Sequence, residues 1–273
     1  MFCGEKNALV DIGPKASIPY LFLALDKAGI NLDSIDYLIF THIHIDHSGG
    51  AGTAIKRMPK AKVIAHSRAR PHLIDPQKLW KASLEALKEM AVAYGEIEPV
   101  PEDRIIVAED LMKLDLGQGI MLEIYLTPGH ASHHLSLFDR ANGLLLAGET
   151  AGVCIDGEIR PASPPPFKLE ETLSSIDRLI ALKPQKLCYA HFGCYDDAVA
   201  RLKAIRRKIL EWHEIINSAA REGKDQEGIL LLLRENDRSL DYLDKLNEDE
   251  YNREHILLIN DINGLSNFLG MGS

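Results

Sequence analysis

Cysteine is scarce. Four residues (Cys3, Cys154, Cys188 and Cys194) in a 273-residue chain are too few and too scattered for a disulfide framework, so they read as inert thiols. No apolar run approaches the roughly 20 residues that a membrane span needs. Met1-Phe2-Cys3 leads straight into the polar Gly4-Glu5-Lys6-Asn7, without the pattern of a signal peptide. A reducing cytoplasm is therefore the expected compartment, and no membrane partner is expected. Positive charge is short too. The 31 Lys and Arg face 40 Asp and Glu for a net charge of -9, which leaves no cationic field to hold a phosphate backbone. No nucleic-acid partner is expected, and the basic cluster Arg201, Lys203, Arg206, Arg207 and Lys208 reads as a solvated helix face. A G-x-S-x-G elbow is missing, so a serine hydrolase of that type is excluded. Gly117-Gln-Gly119 is a turn rather than a phosphate loop. No repeat at a solenoid period and no low-complexity tract is present.

What remains is material for a core: 46% of residues are hydrophobic and 26% charged. Ala8–Ile12 reads as a strand broken by Gly13-Pro14, and Ile18, Leu21, Phe22, Leu25 and Ala28 follow at helical spacing. Residues 36–41 form a buried-strand run, and further strands are expected at 62–65, 104–107, 121–126, 135–138, 144–147 and 186–190. Helices are expected over 79–94 and near 169–182, with Pro161-Ala-Ser-Pro-Pro-Pro166 as a stiff surface loop between strand and helix. Beyond Tyr195 the chain turns helical. Leu202, Ile205, Ile209, Trp212, Ile215, Ile216 and Ala219 mark one long helix, and Ile256, Ile259, Ile262, Leu265 and Leu269 keep a similar stripe. The division is therefore a body over 1–195 and a helical C-terminal extension over 196–273 packed on it, whose stripe also suits self-association into a homo-oligomer.

The unusual feature is Thr41-His-Ile-His-Ile-Asp-His47-Ser-Gly-Gly50. Three of the chain's 11 histidines fall within it, next to an interleaved aspartate. In extended chain residues two apart face the same way, so His42, His44 and Asp46 converge while Ile43 and Ile45 pack inward. His47 joins them only if the chain turns, and Ser48-Gly49-Gly50 supplies the freedom to do so. Imidazole nitrogens and a carboxylate held this close suit zinc, and also iron or manganese.

This segment resembles the H-x-H-x-D-H signature of the metallo-β-lactamase superfamily, and four more elements follow the same order. Asp11-Ile-Gly13 looks like the early aspartate motif beside the metal loop. Thr127-Pro-Gly-His130 looks like the element that completes the first metal site. Ala147-Gly-Glu149 stands where a Gly-Asp usually bridges two metals, and Ala190-His191 looks like the final histidine. The resemblance implies an α+β fold, a four-layer αββα sandwich with the helical C-terminal appendage added. It implies that His42, His44 and His130 hold one divalent ion, that Asp46, His47 and His191 hold a second, and that Glu149 bridges them. Asp11 and His134 are expected to support the ligands from behind. Two departures stand out. Glu149 is one methylene longer than the family's aspartate, and the chain begins almost on the strand before Asp11, where members usually carry a further strand first. Cys188-x-x-His191-x-x-Cys194 is not read as a metal motif, because Cys188 should face away from His191 on its strand.

The function implied is hydrolysis of a small molecule with two divalent metal ions, zinc first among the candidates, as cofactors. A metal-activated hydroxide attacks an ester-like bond (a thioester or lactone), and Asp46 orients the nucleophile as well as binding metal. Two readings stand beside it: a mononuclear iron oxygenase of sulfur compounds, and a phosphodiesterase or nuclease of the same fold. An electron-transfer member would carry a carboxylate where this chain has His44.

Overall fold

Strand runs and amphipathic stretches alternate through the first half of the chain, and a computed structural model shows what they build; it describes residues 1–266. The chain divides into two compact units, Met1–Leu126 with Ser132–Gly143, and Thr127–Ala131 with the chain from Leu144 onward.

In the first unit β1 (Phe2–Cys3), β2 (Asn7–Val10), α1 (Ile18–Lys27) and β3 (Ile35–Ile39) lead to the histidine segment. There follow α2 (Ile45–Ser48), α3 (Ala51–Ile55), β4 (Lys62–His66), α4 (Arg70–Ile74), α5 (Gln77–Leu87), α6 (Glu89–Tyr94) and β5 (Ile105–Ala108). The strands form one sheet in the order β1-β2-β3-β4-β5, parallel from β2 to β5. A parallel strand buried on both faces must be apolar throughout, which is why Leu38-Ile39-Phe40 is a continuous run rather than an alternation. Leu9, Ile18, Leu25, Leu38, Phe40, Ile43 and Met58 share its main core. Each such side chain contributes about 1.5–3 kcal/mol by leaving water. A meander of β6 (Lys113–Gly117), β7 (Ile120–Leu126) and β8 (Leu135–Asp139) completes the unit, antiparallel throughout.

The expected single helix over 79–94 is two. Lys88 takes φ 52°, which no α-helix carries, and splits α5 from α6. Their apolar sides, including Trp80, Leu84, Leu87 and Tyr94, cover Ile45, Ala91 and Ile97. Trp80 thus packs against the cluster that contains Ile45, the first residue of the helix that carries Asp46 and His47.

The second unit holds β9 (Leu144–Leu146), a hairpin of β10 (Val153–Ile155) and β11 (Glu158–Arg160), α7 (Leu169–Ala181), β12 (Lys186–Cys188) and β13 (Cys194–Tyr195). β12 pairs parallel to β9 and antiparallel to β13. Then come α8 (Ala198–Arg221), α9 (Gln226–Asn236) and α10 (Glu248–Leu265). The stripe read on α8 is buried at Leu202, Ile205, Ile209, Trp212, Ile216 and Ala219. On α10 the buried face is Glu254, Leu258, Asp261, Ile262 and Leu265, rotated from the expected stripe because two acids sit in it. Ile256 and Ile259 are half-buried, and Leu269 lies outside the described residues. Among the described residues no helix is long and apolar enough to cross a membrane.

Candidate metal centre

The first unit's contribution starts where β3 ends. Beyond Thr41 the chain is not extended as far as Asp46: it turns into α2 at Ile45, so His42 and His44 come from the loop and Asp46 and His47 from the helix. The turn does not come from glycine freedom. Gly49 (φ -58°) and Gly50 (φ -82°) are helical, and glycine is required for space, since a Cβ on Gly50 would lie 2.3 Å from Ile18 Cδ1 and one on Gly49 2.3 Å from the Ile45 carbonyl. Ile43 and Ile45 are buried as expected. The Asp11-Ile-Gly13 turn is stapled onto this loop: the Gly13 N–H donates to the His47 carbonyl (3.1 Å), and Gly50 donates back to the Gly13 carbonyl (2.9 Å).

Asp11 orients two of the histidines. Its Oδ1 accepts from the Thr41 N–H (2.9 Å), and its Oδ2 from the Thr41 hydroxyl (2.7 Å) and from His47 Nδ1 (3.1 Å). Because the Thr41 hydroxyl spends its only proton on Asp11, it accepts from His42 Nδ1 at 3.0 Å. Both rings therefore carry a proton on Nδ1 and turn Nε2 outward. His42 Nε2 lies 3.0 Å from His44 Nδ1, and His47 Nε2 lies 3.4 Å from Asp46 Oδ2. Burial works against a charged His47, but the carboxylates of Asp46 and Asp11 outweigh it and hold its pKa well above the ordinary histidine value. Such a field favours positive charge at this place. His134 is fully buried with its ring stacked 5.3 Å from that of His42, and the Ile43 N–H points at His133 Nδ1 (3.4 Å).

The second unit presents His130, Glu149 and His191. His130 follows Gly129, whose φ of 138° and lack of a side chain let the backbone of α7 approach; a Cβ there would sit 2.5 Å from the Thr172 nitrogen. His130 Nδ1 donates to the Ala162 carbonyl (2.9 Å), which leaves Nε2 as the nitrogen turned away from the backbone. Glu149 lies in a 3-10 turn, Gly148–Ala151, after β9. Its two oxygens separate two imidazoles: Oε2 is 2.8 Å from His130 Nε2, and Oε1 is 3.3 Å from His191 Nε2. The longer side chain thus places one carboxylate oxygen near each of the two rings.

His191 sits in the turn between β12 and β13, and here the expectation about cysteine fails. Cys188 and Cys194 are direct partners in the hairpin register, 4.1 Å apart at Cα, and are joined in a disulfide. The strand ends at Cys188 instead of running to residue 190. Positive φ at Phe192 (62°) and Gly193 (114°) then folds the chain back on itself. Strand alternation therefore does not apply across His191. Cys3 and Cys154 are the free thiols.

The donor set fits a divalent metal on the chemistry of its atoms. His42, His47 and His130 each have the outer nitrogen fixed by a hydroxyl, a carboxylate or a backbone carbonyl, which is how metal-binding histidines are held. The first unit gathers His42, His44, Asp46 and His47, and the second His130, Glu149 and His191, all side chains of the kind that can hold a metal ion. Sequence reasoning missed Thr41, the Ala162 carbonyl and the disulfide. Only Thr41, next to the first histidine, left a signal.

Comparison with known proteins agrees with this chemistry. The profile of the metallo-beta-lactamase superfamily matches residues 4–191. The chain belongs to that superfamily, a family of metal-dependent hydrolases, and has its α+β fold. It is 32% identical over 198 residues, 71% of either chain, to the metallo-beta-lactamase fold-containing protein ST1585 of Sulfurisphaera tokodaii. The crystal structure of that archaeal protein superposes with a TM-score of 0.66 at 30% identity, covering 77% of this chain and 78% of the other. The family protein TTHA1429 of Thermus thermophilus covers 96% of this chain and 84% of its own at TM-score 0.65 and 20% identity, which speaks for the fold alone. A hydroxyacylglutathione hydrolase of Nitrosococcus oceani is 31% identical over 129 residues, 45% of this chain and 38% of the other.

Proposed function

We propose that this protein is a dinuclear metallo-hydrolase of an ester-like bond, with a thioester or lactone as substrate. In this reading His42, His44 and His130 serve one ion, Asp46, His47 and His191 the other, and Glu149 both. The observation that carries it is the Glu149 carboxylate, with one oxygen toward His130 Nε2 and the other toward His191 Nε2. One oxygen turned to each of two imidazoles is the arrangement that a carboxylate shared by two ions would take. The similarity to a hydroxyacylglutathione hydrolase supports placing an acyl–sulfur bond first among the substrates.

When bound, a pair of zinc ions supplies Lewis acidity and brings the pKa of water from 15.7 down towards ~7. The chain's own residues do the rest. Asp46, half-buried at the N-terminus of α2, accepts a hydrogen bond from the attacking water and so aims its lone pair. Asp11 and Thr41 keep the His42 and His47 protons on Nδ1 throughout, so neither ring competes for the proton that leaves the water.

The test is metal analysis of purified protein after zinc and after iron loading, followed by assay on thioesters, lactones and phosphodiesters. Two zincs per chain with turnover of a thioester or lactone is the expected result. One iron per chain with oxygen consumption on a thiol would overturn the reading in favour of an oxygenase, and phosphodiester turnover alone would overturn the substrate class.

A further inference from the structure

His130 depends on a carbonyl that the local chain cannot hold in place. Ala162, which accepts the His130 Nδ1 proton, lies in Pro161-Ala162-Ser163-Pro164-Pro165-Pro166, outside any strand or helix. Proline has no N–H, so only Ala162 and Ser163 in this run can donate from the backbone at all. The Ser163 N–H does so to Asp261 Oδ1, at 2.5 Å, and the Ser163 hydroxyl donates to the Asp261 carbonyl at 3.2 Å. Asp261 stands on α10, well beyond the part of the chain that the family profile reaches.

Arg160 ties the same corner from the other side. Its Nη1 donates to Asp261 Oδ2 (2.8 Å) and to the Pro161 carbonyl (3.1 Å), and its Nη2 to Glu254 Oε2 (3.1 Å). Tyr242 adds its hydroxyl to the same Glu254 oxygen at 2.8 Å. All of these groups are buried. The backbone of α10 also rides directly on the proline run: a Cβ on Gly264 would come within 1.7 Å of the Ser163 carbonyl oxygen. A buried ion cluster of this kind is a weak stabiliser, because its desolvation offsets its attraction and apolar residues of equal volume serve stability as well. Its presence is better explained by a need to fix geometry.

We propose that Asp261 is a positioning residue for His130: it locks the Pro161–Ser163 segment and, through the Ala162 carbonyl, sets the orientation of the His130 ring. The inference rests on the reading that His130 binds metal. It makes the C-terminal helix part of the metal centre's support. A ligand must be held to within about 0.5 Å of its working position, and a segment without ladder hydrogen bonds does not hold a carbonyl to that tolerance unaided.

The experiment compares Asp261→Ala, Asp261→Asn, Gly264→Ala, Glu254→Gln and His130→Ala in the full chain. Zinc affinity is measured by titration against a competing chelator, and the ligand field from the absorption spectrum of the cobalt(II)-loaded protein. Asp261→Ala should weaken binding of one metal about tenfold, the lower end of the cost of losing a histidine-orienting partner, and shift the cobalt bands. Asp261→Asn keeps a carbonyl oxygen for the Ser163 N–H and should recover most of both. Glu254→Gln disturbs the same ion cluster without touching the proline run, so it should lower the melting temperature and leave affinity and spectrum alone. Should Asp261→Ala fail to fold, Gly264→Ala carries the test. It retains every polar partner and a better helix residue, yet pushes Ser163 aside, and should shift the cobalt bands. Parental affinity and spectrum in Asp261→Ala or Gly264→Ala overturns the proposal, as does an equal shift in Glu254→Gln. If His130→Ala keeps its full metal complement, the ligand assignment itself is what fails.

Discussion

Replacing Asp11 with asparagine exchanges a carboxylate oxygen for an amide nitrogen and reverses the hydrogen-bond logic behind two proposed ligands, His42 and His47. The backbone tolerates it: Asp11 sits at φ 47°, a conformation in which asparagine, like aspartate, is enriched. Alanine would add about 1–2 kcal/mol of left-handed strain and confuse the result. If the amide nitrogen takes the place of Oδ2, it meets two donors, the Thr41 hydroxyl and His47 Nδ1–H. His47 can escape only by moving its proton to Nε2, and a protonated Nε2 cannot bind metal. The Thr41 hydroxyl can escape only by donating to His42 Nδ1, which forces the His42 proton to Nε2 as well. If the amide flips, its NH2 faces the Thr41 N–H across 2.9 Å and leaves that donor unsatisfied, at about 1–3 kcal/mol.

Loss of one histidine-orienting partner costs about 10–100-fold in metal affinity, or about 1.4–2.7 kcal/mol at 1.36 kcal/mol per tenfold. Two rings depend on Asp11, so the upper end is expected. The assay is zinc affinity by chelator competition, beside the melting temperature of the metal-free protein as a check on folding. An Asp11→Asn protein that binds zinc with parental affinity refutes the tautomer argument.

The parts of the site that the sequence displays are those whose chemistry is local. His42 to His47 reads as a ligand cluster because four donors lie within six residues, and Asp11, His130, Glu149 and His191 read as its companions only through their resemblance to the superfamily's motifs. Element identity held along most of the chain, since buried parallel strands and one-sided helices have different periods. What failed depended on backbone conformations that no side chain announces. The disulfide was hidden because the strand stops at Cys188 and two positive φ angles at Phe192 and Gly193 turn the chain back. The break at Lys88 was hidden because Leu87-Lys88-Glu89 carries no helix-stop residue. Ala162 acts through its carbonyl, a group that every residue has. Asp261 and Glu254 were visible as acids within the apolar stripe of α10. Their partner Arg160 lies about a hundred positions away in sequence, and nothing local points to it.

The disulfide gives a prediction that separates the two proposed ions. Reduction with a phosphine that does not bind zinc, or Cys188→Ser with Cys194→Ser, frees the turn that carries His191 and should weaken one of two zinc sites; equal affinities before and after would refute it. A last prediction concerns the anchorage of the C-terminal helices. Lys208 Nζ (2.7 Å), Trp212 Nε1 (2.7 Å) and the Ser239 N–H (2.9 Å) all donate to Asp237. Burial alone would raise its pKa, but these donors outweigh it and hold it below the usual aspartate value. A carboxyl with a depressed folded pKa contributes stability above its unfolded pKa of about 3.9 and loses it as pH falls through the lower folded value. Asp237→Asn sets an amide against three donors and should cost about 2 kcal/mol at neutral pH, since hydrogen bonds to charged groups are worth about 1.5–3. In a unit of this size that is a fall of roughly 4–8 °C in melting temperature. Melting curves of both proteins from neutral pH down to about pH 3 should show a constant gap that closes below pH ~4. A gap that persists unchanged at the acid end would mean that Asp237 acts through shape and not through charge.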